Sequence, residues 1–411
     1  MPSDSATSPN TSLPPLAGAL AGVRVLDLTS VLMGPLATLM LGDYGADIIK
    51  VEAKTGDTVR GIGPMKNPGM GHIFLHMNRN KRSIVLDLKS SDGKAAILRL
   101  VEQSDVLIYN IRPQAMQRLG LGFDVLHALN PKLIYCGMYG YGQTGPYASY
   151  PAYDDLIQGI AAIPTLVAKV GDATPRYVPL AFIDRTVGHV AVGAICAALY
   201  SREKTGRGQS IDLPMFETMV PFVLGDHMGG ETFDPAQGSM GYARQLAPQR
   251  RPFQTSDGHV CVLLYADKHW QGFFEGLGLA ARFKDDPRLG SITQRTLHID
   301  ALYGEVGELI SRHSTEYWLA FFAKADIPAV PLNTLETLLE DPHLEAVGAF
   351  AWREHPSEGR FRSLEPPGTW SDTPPSVRRP APQLGQHTEE ILAEAGFSEA
   401  QIQAIIKPSA H

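Results

Sequence analysis

From residue 22 the chain alternates short β-branched runs with longer amphipathic stretches, and nothing else in it constrains the fold so strongly. Val23 to Leu28 reads as a strand and is followed by a helix to about Tyr44. Asp47 to Glu52 and Ser83 to Leu88 read as strands, with a helix from about Ser91 to Glu102. Asp105 to Tyr109, a helix after Pro113 and Lys132 to Met138 continue the series. Next come a helix from about Asp184 to Arg202, the turn Lys204 to Gln209 and a strand Ser210 to Leu213. Helical crossovers between successive strands specify a mostly parallel sheet covered on both faces. The expected class is therefore α/β, with a Rossmann-like domain.

At 411 residues the chain is too long for one ordinary core, and two domains are expected. The segment from about Gly225 to Gln249, rich in Gly, Met and polar residues, reads as a loop or domain crossing. Beyond it, a strand at Val260 to Tyr265 and helices at His269 to Phe283 and Leu297 to His313 suggest a smaller α/β domain. An amphipathic helix begins near Thr388. The first 20 or so residues, rich in Ser, Pro and Thr without a basic and apolar leader pattern, read as a flexible tail.

A net charge of −7 argues against nucleic acid or an anionic membrane as partner, since both need a basic face. No apolar run reaches the roughly 18 residues of a membrane span; Ile160 to Val170 is broken by Pro164 and Lys169. Cys136, Cys196 and Cys261 form no CxxC pair, so buried, inert thiols in a reducing cytoplasm are expected.

The string Gly140 to Gly145 (GYGQTG) has the spacing of a dinucleotide fingerprint. Yet Pro146, Pro151 and two tyrosines follow where a phosphate-binding helix should open, which leaves an NAD-dependent oxidoreductase as an alternative rather than the leading reading. Walker, GxSxG and HExxH motifs are absent, as is any Cys/His set at metal spacing. What remains is carboxylate chemistry. Asp184 follows the hydrophobic run Val178 to Ile183 and precedes a stretch dense in Gly and Ala, which places it at a strand-to-helix junction. A helix N-cap keeps a carboxylate ionised, and an ionised carboxylate attacks thioesters. Locally, cap and nucleophile both remain open. Asn78 to Arg82 is either a solvated basic loop or a phosphate patch. Arg112 and Arg118 follow a strand end, where ligands of parallel sheets bind.

Taken in order, LAGVRVLDLTSVLMGP, GDYGADIIKVE, NKRSIVLDLK, NIRPQAMQRLGLG, GYGQTGPY, PAYDDLIQG, KTGRGQSIDL, ADIPAVPLNTLETLLEDPH and LGQHTEEIL resemble the class III CoA-transferase family of CaiB/BaiF type, from about residue 20 to 405. The resemblance implies an interlocked homodimer. Its large domain is built from both chain ends, 21–224 and 329–411, around a small domain at 225–328. It makes Asp184 the catalytic nucleophile. It also implies a CoA site at Leu32, Met33, Lys54, Leu86, Asp87, Leu88, Lys89, Asn110, Ile111, Arg112 and Arg118, and an acyl pocket at Tyr153 and Asp154. No permanent cofactor or metal is implied; an acyl-CoA donor, with succinyl-CoA a candidate, and a carboxylate acceptor are the partners. Leu32 stands where formyl-CoA transferase has a glutamine and Pro151 where it has a lysine, so formate and oxalate are not expected as acids. The family's glycine-rich flap is not evident in this chain, and Gly238 to Gly241 is the candidate to replace it. Arg176, Arg185, His189 and His227 are candidates to hold a dicarboxylate. A racemase branch of the same fold carries a histidine where this chain has Tyr153; without it a two-base shuttle lacks one member, which favours transfer over 2-methylacyl-CoA racemisation.

Overall fold

The computed structural model describes residues 18–406, so the expected tail lies almost wholly outside the described residues. Six strands form one parallel sheet: β1 (Arg24–Leu28), β2 (Asp47–Glu52), β3 (Lys81–Val85), β4 (Val106–Tyr109), β5 (Ile134–Tyr139) and β6 (Ser210–Pro214). Their spatial order is β3-β2-β1-β4-β5-β6, so the order reverses between β1 and β4. In sheets of this kind ligands bind at that switch point, beyond the carboxyl ends of the strands. β4 and β5 are buried along their whole length, as near-continuous apolar runs in a covered parallel sheet must be.

One face of the sheet contributes Leu26, Ile49, Ile84 and Leu107 to a core with Ile97 and Leu100 of the helix Ser91–Glu102. Ile391 and Leu392 of the helix Thr388–Glu394 close the same core, so the C-terminal segment packs with the N-terminal strands. On the other face, α1 (Met33–Asp43) packs against the 24-residue helix Phe182–Thr205. Gly188 permits that approach, because a Cβ there would sit 2.8 Å from the Met33 carbonyl oxygen. With a mean hydropathy of 1.4, this helix is long and apolar enough by length and composition to cross a membrane, contrary to the reading that no stretch qualifies. Its buried residues, among them Ile183, Val187, Ala191, Ile195 and Ala198, instead recur at helical spacing on one stripe.

The basic run Asn78 to Arg82 is neither a solvated loop nor a phosphate patch. All five residues are buried; Arg79 pairs with Asp43, Lys81 with Asp27, and Arg82 with Asp47, Glu390 and Glu394. These carboxylates lie far away in sequence, so local composition conceals the pairing. The same burial explains why β3 starts at Lys81 rather than at Ser83.

The chain divides into two compact units, one holding residues to Asp154, Ala181–Glu217 and Glu345 onward, the other Asp155–Leu180 and Thr218–Leu344. The expected boundaries at 224 and 328 thus fall at 217 and 344. The helix Met215–His227 runs straight through the first of these points, so no loop composition marks it. Within the second unit, a three-stranded sheet, β7 (Phe253–Gln254), β8 (His259–Val262) and β9 (Ala329–Pro331), packs with helices around Trp270, Phe273, Trp318 and Phe322. Gly238 and Gly241 sit there at φ of +150° and +109° in an irregular segment.

Candidate active site

A cavity of about 350 Å³ opens beyond the carboxyl ends of the central strands, as the strand order predicts. Ser30 to Met33 enter it after β1, Asn110 to Pro113 after β4, Gly140, Tyr141 and Gln143 after β5, and Met215 after β6. Tyr150 to Tyr153 and Asp184 complete the wall.

The β1 loop is held with unusual firmness. Val31 has φ +71°, a conformation that a β-branched residue adopts only under constraint. The constraint comes from below, where the fully buried Lys50 ammonium donates to the Thr29 carbonyl and to Asp57 Oδ2, both at 2.9 Å. Asp57 Oδ1 accepts from the Val31 N–H at 3.1 Å. From the side, Asn110 grips Ser30 twice, its Oδ1 accepting from the backbone N–H at 3.0 Å and its Nδ2 donating to the carbonyl at 2.8 Å. Behind the loop, the Asp27 carboxylate accepts from the Thr29 amide and hydroxyl, the Thr38 hydroxyl and Lys81. Burial opposes ionisation of Asp27, but the Lys81 and Lys50 charges and these hydroxyls outweigh it and hold the carboxyl at about 2.

Asp184 does not sit at a strand-to-helix junction. The segment before it is irregular, the helix begins at Phe182 with Ala181 as its N-cap, and Asp184 occupies the third helical position. The helix N-terminus favours its charge, yet this is not the dominant influence. Burial, then the neighbouring Asp154 carboxylate, push Asp184 up to about 7, against the opposing pull of Arg185. Asp154 touches it through the backbone: its Oδ1 accepts from the Asp184 N–H at 2.9 Å. The expectation of a fully ionised N-capping carboxylate is thereby corrected to a carboxyl poised near neutrality.

The residues expected to bind CoA divide into groups. Leu32, Met33, Asn110, Ile111 and Arg112 share the cavity with Asp184, as does Tyr153 from the expected acyl pocket. Lys54 and Asp87 line a different cavity of about 470 Å³, beside Val85, Thr388 and Glu389. Leu86 is 2% exposed within the sheet core, so its side chain lines no site, and Leu88 packs on that same core. Lys89 and Arg118 are exposed on the surface. Arg176, Arg185 and His189 are exposed and, like His227, lie outside the cavity wall. Composition did not point to Lys50, Asp57 or Asn110 as a clamp, although a lysine in the middle of the apolar run Asp47–Glu52 is a visible sign of a buried ionic contact.

Gly140 to Gly145 turns through Tyr147 and Tyr150 without opening a helix, and the rings of Tyr141, Tyr147 and Tyr150 pack together at 5.3 to 6.4 Å. Among the described residues no group of three or more His, Cys, Asp or Glu is placed to hold a metal ion.

Residues 20–388 match the family described as CoA-transferase family III. A succinate–glutarate CoA-transferase of Agrobacterium fabrum is 33% identical over 93% of this chain and 97% of the relative. A succinyl-CoA:glutarate CoA-transferase of Homo sapiens is 31% identical over 91% of this chain and 85% of its own. A crystal structure of a CaiB/BaiF family protein from Brucella suis superposes with a TM-score of 0.77 at 32% identity, covering 92% of this chain and all of that one.

Proposed function

We propose, from the premise that this chain belongs to the CoA-transferase family III and is a CoA-transferase, that it moves CoA from succinyl-CoA to a second carboxylic acid through Asp184. The observation that carries this reading is a single carboxyl, raised to about 7, set in the wall of the cavity at the switch point of the sheet.

The Asp184 carboxylate attacks the thioester carbonyl of the donor, forming a mixed anhydride and expelling CoA thiolate. The thiolate then attacks the aspartyl carbonyl, which releases the donor acid and leaves an aspartyl-CoA thioester. The acceptor carboxylate attacks that thioester and expels thiolate again. Attack of the thiolate on the acyl carbonyl of the new anhydride forms the product thioester and restores Asp184. One thioester replaces another, so the exchange needs no external energy source. Both activated aspartyl species hydrolyse if water reaches them, and the buried setting that raises Asp184 also limits that access.

In this reading Leu32, Met33, Asn110, Ile111 and Arg112 contact the CoA thioester end, and Tyr153 and Asp154 border the acyl group. Leu86 is removed from the CoA site by its burial, whereas Lys54, Asp87, Leu88, Lys89 and Arg118 stay as outlying CoA contacts. A homodimer in the cytoplasm, with CoA thioesters as substrates and no resident cofactor, belongs to the same proposal. Asp184→Ala should bind CoA yet lose exchange, and hydroxylamine should trap the wild-type protein as a modified residue at position 184 after incubation with succinyl-CoA. Undiminished exchange in the variant sinks the reading.

A further inference from the structure

The second unit contains a cavity of about 260 Å³ whose wall carries three guanidinium groups, those of Arg244, Arg250 and Arg251, and no carboxylate. The remaining wall includes Phe253, Cys261 and Tyr303. Several arginines elsewhere in this unit are neutralised: Arg282 and Arg288 share Asp286 and Glu305, and Arg295 pairs with Asp267. Among the described residues none of the three cavity arginines has an ion pair. Nearby acids are turned to other donors. Asp300 accepts from the Gln249 N–H at 2.8 Å, and Asp226 from the Gln245 side chain at 2.8 Å.

Arg244 is the most telling of the three. Its Nε is buried with no hydrogen-bond partner, and its guanidinium lies 5.6 Å from the centre of the Tyr265 ring. A buried donor left unmade costs about 1–3 kcal/mol, and more when the group is charged. Arg250 and Arg251 are exposed at the cavity mouth, where Arg251 donates to Gln249 Oε1 at 3.2 Å, and their like charges add a repulsion that water weakens. An anion that enters meets the unmade donor and offsets the repulsion, and the planar guanidinium fork matches carboxylate or phosphate oxygens two at a time. The volume is below the roughly 300 Å³ at which pockets for drug-sized ligands begin, so the anion is small.

We propose that this arginine-lined cavity is a binding site for a small dicarboxylate, the chemical class of the acids exchanged in the reading above, on which the choice of carboxylate rests. The aromatic wall of Phe253 and Tyr303 suits a short carbon chain between two charged ends. A phosphate has the same fork-matching oxygens without the chain.

Two measurements on the full chain test the proposal, both in Asp184→Ala, where no turnover takes place. Calorimetric titration compares glutarate with acetate and with inorganic phosphate. Glutarate should bind, and Arg250→Gln or Arg251→Gln should weaken it about tenfold or more, the effect of losing one charge-assisted contact. Phenylglyoxal labelling, mapped by mass spectrometry, then locates the site. Glutarate should slow modification of Arg250 and Arg251 several-fold while leaving Arg360 and Arg362, which are also exposed, unchanged. Equal labelling with and without glutarate, or protection that extends to Arg360 and Arg362, overturns the site. Phosphate binding as tightly as glutarate overturns the carboxylate assignment. Since neither readout uses exchange activity, a failure here leaves the role of Asp184 standing, and loss of the Asp184 assignment leaves these readouts interpretable.

Discussion

Asp184→Asn should stabilise the protein while abolishing exchange, and the stabilisation should grow with pH. The carboxyl titrates at about 7 in the folded chain against an ordinary 3.8. A group whose folded value is raised binds an extra proton in the folded state between the two values, so stability is lost as pH climbs through that window. At about 1.36 kcal/mol per unit, the raised value of Asp184 costs the fold roughly 1.5–2 kcal/mol at pH 5, where only the unfolded chain is ionised, and about 4 kcal/mol at pH 8. Asparagine has the same shape and no charge, so it escapes this cost. Urea unfolding of wild type and variant at pH 5 and pH 8 should therefore show the free-energy gap in favour of the variant widening by about 2–3 kcal/mol. The rate of exchange by the wild type should fall as pH drops below about 7, because the protonated acid is no nucleophile. A gap that stays constant over this range would refute the argument that burial raises Asp184.

Three further outcomes follow from the same geometry. Asp154→Asn removes the charge that ranks second among the causes raising Asp184, so the acid limb of the pH–rate profile should move to lower pH; an unmoved limb contradicts that contribution. Lys50→Met strips the partner from buried Asp57 and from the Thr29 carbonyl, and should cost about 3–5 kcal/mol in urea unfolding, as breaking a buried ion pair does. Gly188→Ala forces a methyl against the Met33 carbonyl and should cost about 1–3 kcal/mol. It should also lower kcat, since Met33 lines the cavity; a neutral result would mean that α1 shifts without consequence.

The parallel sheet was legible because strand burial is a local signal. Ile134 to Met138 is apolar on both faces, as only covered strands are, and Val23 to Leu28 is apolar apart from Arg24 and Asp27. Helix boundaries near Ser91 and Thr388 were legible for the same kind of reason: a capping serine accepts from Gly93 N–H, and Thr388 opens an amphipathic turn. The charged interior was not legible. Lys81 meets Asp27 across 54 residues and Arg82 meets Glu394 across 312, distances over which a sequence pattern says nothing. Asp184 fell between these cases. Its position before a small-residue helix was visible, but the start of that helix at Phe182 and the arrival of Asp154 beside it depend on how separate segments meet.

That difference changes the chemistry expected at the site. A carboxylate capped and fully stabilised by a helix N-terminus would stay ionised at every working pH, and its charge would be so well satisfied that attack on a thioester would cost the whole of that stabilisation. A carboxyl raised to about 7 is still substantially ionised at neutral pH, and its charge is held against the opposition of burial and of Asp154. In the proposed mechanism, forming a neutral anhydride would relieve that opposition, so part of the folding free energy lost by ionising Asp184 would return on the way to the acyl intermediate. The clamp of Lys50, Asp57 and Asn110 has the complementary role: it holds Thr29 to Val31, so that the loop leading into Leu32 and Met33 keeps its strained conformation in the cavity wall.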